Sequence, residues 1–253
     1  MKRLLIIFLM VGLIACLLVG CLGTGTVVDD EDGEEGEGEE EVSRVVIVEA
    51  FTQANCANCA VVEPILEQLA DEYERSEIVL VEERAYGIHS LDEIRDRFEW
   101  YLPNSDRGTP YIFFNGLNQK IYGSSTYVAI KSKINLELGK DAKIKITATR
   151  NSDFTATTTI SGAIKNISSS TLDNLVINGV IFKDRGQTGL KYSVTDILEE
   201  QKETVTTLES GSTHNFSFTL TDINWVANNI HGVIFVQDAD SSKKEILQAA
   251  YID

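Results

Sequence analysis

From position 43 onward the chain alternates short apolar runs with amphipathic stretches, and the period of each stretch predicts an element. "RVVIVEAF" (44–51) and "EIVLVEE" (77–83) are nearly continuous apolar runs, the pattern of strands buried on both faces. Between them Val62, Ile65, Leu66, Leu69 and Tyr73 recur at helical spacing. Strand, helix, strand within so short a span is a βαβ unit with a parallel pair. Ser90 and Glu93 have the spacing of a capping box, before a helix with Leu91, Ile94, Phe98 and Tyr101 inward, ended by Pro103. "YIFFNGLNQKIYG" (111–123) predicts a hairpin around Asn115-Gly116, and a last helix runs from Ser125 to about Leu138. Its inward positions are Tyr127, Ile130, Ile134 and Leu138, with Gly139 at its end.

Beyond Lys140 the helical period disappears. "AKIKITATR", "FTATTTISGAI", "NLVINGVIF", "THNFSFTL", "GVIFVQD" and "ILQAAYI" read as short strands separated by Gly, Asn, Asp and Ser. Such a succession predicts a β-sandwich of immunoglobulin-like size, without that fold's cysteine pair.

The first 42 residues have a different composition. Met1-Lys2-Arg3 is a short basic start, and Leu4 to Val19 is almost wholly apolar. The run ends in Leu18-Val19-Gly20-Cys21, which resembles the lipobox of secreted lipoproteins and implies lipidation of Cys21. An uncleaved membrane-spanning anchor is the competing reading, since roughly 20 apolar residues cross a bilayer. Either reading expects a chain held by its N-terminus at the extracytoplasmic face of a cell membrane. Residues 29–41, "DDEDGEEGEGEEE", hold ten acidic side chains, a solvated and disordered spacer. The formal charge of -17 speaks against nucleic acid as a partner.

These compositions divide the chain into a signal or anchor (1–21), an acidic linker (22–42), and two folded parts, 43–139 and 140–253. Of the four cysteines, Cys16 leaves with a cleaved leader and Cys21 would carry lipid, which leaves Cys56 and Cys59. In an exported protein that pair is disulfide-capable. It stands where the first strand's loop meets a helix N-terminus, whose N–H groups and dipole favour a thiolate. Cys56 is thus the expected nucleophile and Cys59 the resolving thiol. One CxxC with His89, His214 and His231 scattered among different segments does not make a metal site, and no cofactor is expected.

Residues 45–138 resemble the thioredoxin superfamily. The features that carry this are "FTQANCANC", "VVEPILEQLADEY" with Pro64 five residues after Cys59, "GTPYIFFNG" with Thr109-Pro110, and Gly123. The resemblance implies an α/β thioredoxin-like domain followed by the all-β immunoglobulin-like sandwich. It also implies a cis Pro110 that, with the Thr109 backbone, binds substrate, and a thiol–disulfide oxidoreductase acting on thiols and disulfides of exported proteins. Its redox partner is not readable. The family's buried acid falls on Ala50, so Glu49 is the nearest candidate proton shuttle. The other reading open at this stage is a surface binding or structural lipoprotein whose Cys56–Cys59 disulfide is redox-silent.

Overall fold

The computed structural model describes residues 42–103, 107–151, 157–226 and 229–252. The expected leader, the Cys21 lipidation site and the acidic tract lie outside the described residues. Among the described residues no helix is long and apolar enough to cross a membrane.

The first apolar run forms β1 (Val46–Gln53), the second β2 (Ile78–Tyr86), and the two pair in parallel around helix α1 (Cys59–Glu72). Helix α2 (Asp92–Tyr101) follows, then β3 (Tyr111–Phe114), β4 (Gln119–Tyr122) and α3 (Tyr127–Leu138). β3 runs antiparallel to β1 and to β4. Val62, Leu66 and Leu69 of α1, Ile94, Phe98 and Tyr101 of α2, and Ile130 and Ile134 of α3 are buried as their spacing predicts. The capping box does not form. Ser90 Oγ instead donates to the Gly87 carbonyl at 2.8 Å, and α2 starts one residue later with Leu91 at its N-cap.

The remaining chain is β-stranded: β5 (Ile144–Arg150), β6 (Thr157–Asn166), β7 (Leu172–Lys183), β8 (Ser193–Ile197), β9 (Glu203–Leu208), β10 (Thr213–Thr221), β11 (Ile230–Asp238) and β12 (Ile246–Tyr251). β8 and β9 are absent from the sequence reading. Their sequences, SVTDI and ETVTTL, carry too few apolar positions to register as strands.

The expected fold class needs correction. An α/β thioredoxin-like domain followed by a separate immunoglobulin-like sandwich is not what forms: twelve strands against three α-helices make the described chain mostly β. One mixed nine-stranded sheet, in the order β12-β11-β7-β8-β2-β1-β3-β4 with β9 beside β7, runs through both parts. Residues 41–253 make a single compact unit. The physical reason lies at the outer edge of β2. An uncovered edge would leave a row of unpaired backbone groups, and β8 covers it, with Glu82 opposite Ser193 and the Glu82 N–H donating to the Tyr192 carbonyl at 2.8 Å. A sandwich contact does exist, because the three-stranded sheet β10-β6-β5 packs over the β7–β11–β12 end. One of its two layers, however, is the far end of the shared sheet.

Three apolar clusters follow. One joins β1, β2 and α2 to β7, β8, β11 and β12 on one face of the long sheet. On the other face α1 and α3 pack over β1–β4, and the small sheet packs over β7, β11 and β12.

Candidate functional site

β1 delivers the chain to the site. After Gln53 it turns through Asn55, whose φ of 61° is left-handed, and reaches Cys56, three residues before α1 begins. Cys56 and Cys59 are joined by a disulfide with Cα atoms 5.2 Å apart. The two sulfurs are not equivalent. Cys56 is partly exposed, whereas Cys59 is 1% exposed on the inner face of α1. The Cys59 N–H donates to Cys56 Sγ at 3.1 Å, and the Ala60 N–H donates to the Cys56 carbonyl at 3.1 Å. The first of these donors, with the dipole of a helix of 14 residues, stabilises negative charge on the Cys56 sulfur when the bridge is open.

Opposite the bridge, the Thr109–Pro110 peptide bond is cis, and the Thr109 carbonyl oxygen lies 3.5 Å from Cys56 Sγ. Four of the residues singled out from sequence, Cys56, Cys59, Thr109 and Pro110, therefore meet in one place. Glu49 does not join them. It faces α2, where Arg97 Nε donates to one carboxylate oxygen at 2.5 Å and the Tyr101 hydroxyl donates to the other at 2.7 Å. Gln237 Nε2 donates to the same hydroxyl at 3.1 Å, so Glu49 anchors a buried network reaching β11.

A second group of acids went unread. Register pairs Ala50 with Glu82 and Thr52 with Arg84, and these positions face α1, which brings Glu63 and Glu67 to them. Burial pushes the Glu82 carboxyl up to about 8, with Glu67 and Glu63 adding to the shift and the Tyr192 N–H and Arg84 opposing it. Glu82 Oε2 accepts from the Tyr192 N–H at 2.9 Å, while Oε1 has no partner among the described residues. Glu63 is also raised by burial despite Arg84 Nη1 at 3.2 Å. Glu67 accepts from the Gly189 N–H at 2.6 Å, and Arg84 donates to the Gly189 carbonyl at 2.9 Å. The cysteine-bearing helix is thereby fastened to the 189–192 segment. A signal for this was present: Glu82-Glu83-Arg84 are consecutive charges inside an otherwise apolar strand. Among the described residues no group of three or more His, Cys, Asp or Glu side chains could hold a metal.

No family model and no curated protein matches the chain. Solved structures do. HBP35 of Porphyromonas gingivalis is similar over 83% of this chain and 75% of its own, with a TM-score of 0.61 at 14% identity. At that identity the likeness is one of fold. A domain of the outer membrane lipoprotein Omp28 from Porphyromonas gingivalis aligns with 44% of this chain and 88% of its own, at 16% identity and a TM-score of only 0.32. Bacteroides uniformis β-glucuronidase 2 aligns over 45% of this chain and 13% of its own, at 19% identity and a TM-score of 0.29. Neither of these two carries weight at such scores.

Proposed function

We propose that this chain is an envelope-anchored thiol–disulfide oxidoreductase of exported proteins, working through Cys56 and Cys59. The observation that supports it most is the asymmetric bridge beside a cis proline: a partly exposed Cys56 with its Sγ 3.5 Å from the Thr109 carbonyl, and a buried Cys59. The site, though not the fold class, is what the resemblance to the thioredoxin superfamily implies. In the reduced state the Cys56 thiolate attacks a substrate disulfide, one substrate sulfur leaves, and Cys59 then attacks the mixed disulfide. The reverse sequence oxidises a substrate dithiol. Location at the extracytoplasmic face rests on the apolar leader and the lipobox-like Leu18-Val19-Gly20-Cys21.

A second reading has its own support. The mostly β architecture, with the small sheet packed over the long one, suits a surface binding lipoprotein in which the bridge only staples the loop before α1.

Trapping separates the two readings. With Cys59→Ser, mixed disulfides to exported proteins should accumulate through Cys56, visible as reducible adducts on non-reducing gels. Cys56→Ser should give none. Equal trapping by both variants, or none by either, would favour the binding reading.

A further inference from the structure

Between β2 and β7 the long sheet has a gap. β8 joins β2 at a single register, Glu82 opposite Ser193, because the chain just before it is drawn away to α1, where the Gly189 N–H donates to Glu67 at 2.6 Å. The Glu82 N–H points away from β1 and reaches the Tyr192 carbonyl at 2.8 Å. Backbone groups alternate sides along a strand, so the Leu80 N–H and carbonyl point the same way. No strand pairs with Leu80 on that side, and among the described residues no loop or turn bond reaches it. Leu80 is 1% exposed, so both groups are desolvated, at a cost of about 1–3 kcal/mol for each left unpaired.

Rings stand in the gap. Phe182 lies 5.5 Å from His231 and 6.2 Å from both Tyr192 and Tyr251, measured between centroids. Tyr192 packs against the apolar clusters of both sheet faces, as a side chain set in the plane of the sheet does. With Tyr73 at the end of α1, these rings leave a cavity of 240 Å³ against Leu80. Ala70 closes it from α1, about 16 Å along the helix from Cys59, so the cavity is separate from the disulfide.

Flat apolar walls with one polar edge select an occupant by its shape and by that edge. No acidic side chain lines the cavity among the described residues. The charged group on its wall, Arg75, stacks on Tyr251 at 3.9 Å and donates to His231 Nδ1 at 3.1 Å. We propose that the cavity is a binding site for a small neutral aromatic ring carrying an in-plane amide or lactam. The amide oxygen accepts from the Leu80 N–H and the amide N–H donates to the Leu80 carbonyl, as an adjacent strand would. The ring faces lie against Phe182 and Tyr192. Water could satisfy the two backbone groups but not the apolar walls; such a ligand does both. This site holds or fails independently of the redox reading.

The test titrates the full chain with three probes: carbostyril, a bicyclic lactam; N-methylcarbostyril, which lacks the donor; and naphthalene, which lacks both polar atoms. Calorimetry should show saturable binding of carbostyril and binding about tenfold weaker for each analogue, the worth of roughly one hydrogen bond. Saturating carbostyril should slow hydrogen exchange at the Leu80 amide about tenfold. Ala70→Leu should abolish binding by filling the cavity. Should that variant not fold, the analogue series and the Leu80 exchange rate of the parent chain decide. No saturable binding of carbostyril, or naphthalene binding as tightly, overturns the inference and leaves the gap a hydrated cavity. Binding that leaves Leu80 exchange unchanged, or that survives Ala70→Leu, places the ligand elsewhere and overturns it equally.

Discussion

Glu82 is a carboxyl placed where a carboxylate is costly. It is fully buried on β2, with one oxygen held by the Tyr192 N–H and the other unpartnered among the described residues. Glu63 and Glu67 add like charge from α1, and Arg84 offsets it in part. The folded-state value of about 8 stands well above the roughly 4.3 of an unfolded glutamate. Between those values the folded chain holds a proton that the unfolded chain has released. Stability is therefore fully present below the unfolded value and falls as pH rises to about 8, by about 1.4 kcal/mol per pH unit. Glu82→Gln keeps the shape and removes the titration. Urea unfolding at several pH values should show the variant's stability declining less steeply than the parent's between pH 5 and 8. The residual slope would come from Glu83 and Glu63, which burial shifts in the same direction. Parallel slopes in the two proteins would mean that Glu82 is ionised in the folded state.

At the scale of elements, the turn between β3 and β4 ties the two parts together. Asn115 is fully buried with a left-handed φ of 50°; its Oδ1 accepts from the Ile47 N–H at 2.8 Å and its Nδ2 donates to the Val45 carbonyl at 3.3 Å. Behind it the Leu117 N–H donates to the Lys243 carbonyl at 2.7 Å, and a Cβ at Gly116 would run into the Lys244 carbonyl. Asn115→Ala leaves two buried backbone groups of the β1 segment without partners and puts alanine in a conformation it disfavours. A loss of about 2–4 kcal/mol is expected, read as a lower urea midpoint at unchanged slope. A loss under about 0.5 kcal/mol would show that water or a backbone shift replaces both bonds. This turn also marks how far local pattern reaches. "NG" between apolar runs predicted a hairpin, and the hairpin is there. That its Asn would turn inward to cap the strand entering from Ser43, and its Gly would admit residues 243–244, depends on segments 68 or more positions away. The chemistry divides likewise. Cys56, Cys59, Thr109 and Pro110 were legible as motif residues, because their spacing is itself the signal. The partners of Glu49 and the gap beside Leu80 are properties of the assembled molecule.

For the whole molecule, the long sheet decides what can fold alone. Composition changes sharply near Lys140, and a reading by pattern divides the chain there, because strand periodicity says nothing about which strand pairs with which. The pairing of β2 with β8 is carried by residues far apart in sequence and by a strand too polar to notice. Its consequence is a shared core: of the nineteen buried residues in the cluster under α2, eight come from beyond Lys140, including Phe182, Val233, Phe235 and Ile246. Polar contacts follow the same route. Arg44, 1% exposed at its side chain, donates to Glu245 at 2.7 Å and to the Ile246 carbonyl at 3.0 Å, and Gln248 Oε1 accepts from the Val45 N–H at 2.8 Å. A fragment of residues 43–139 keeps the CxxC, the cis proline and all three helices. It loses the covering of β2's edge, the Glu245 and Ile246 partners of Arg44, leaving only Glu137, and the Tyr192 N–H that holds Glu82. Large apolar side chains such as Phe51, Phe98 and Phe113 would lose part of their packing at once, a deficit comparable with the roughly 5–15 kcal/mol that keeps a domain folded. The fragment should therefore show helical far-ultraviolet dichroism without a cooperative thermal transition, and should bind a hydrophobic dye that the full chain does not. Its Cys56–Cys59 bridge should also be reduced faster than in the full chain, since α1 is no longer fastened to residues 189–192. A fragment that melted cooperatively within a few degrees of the full chain would mean that the strands beyond Lys140 are an attachment to the first part rather than half of its core.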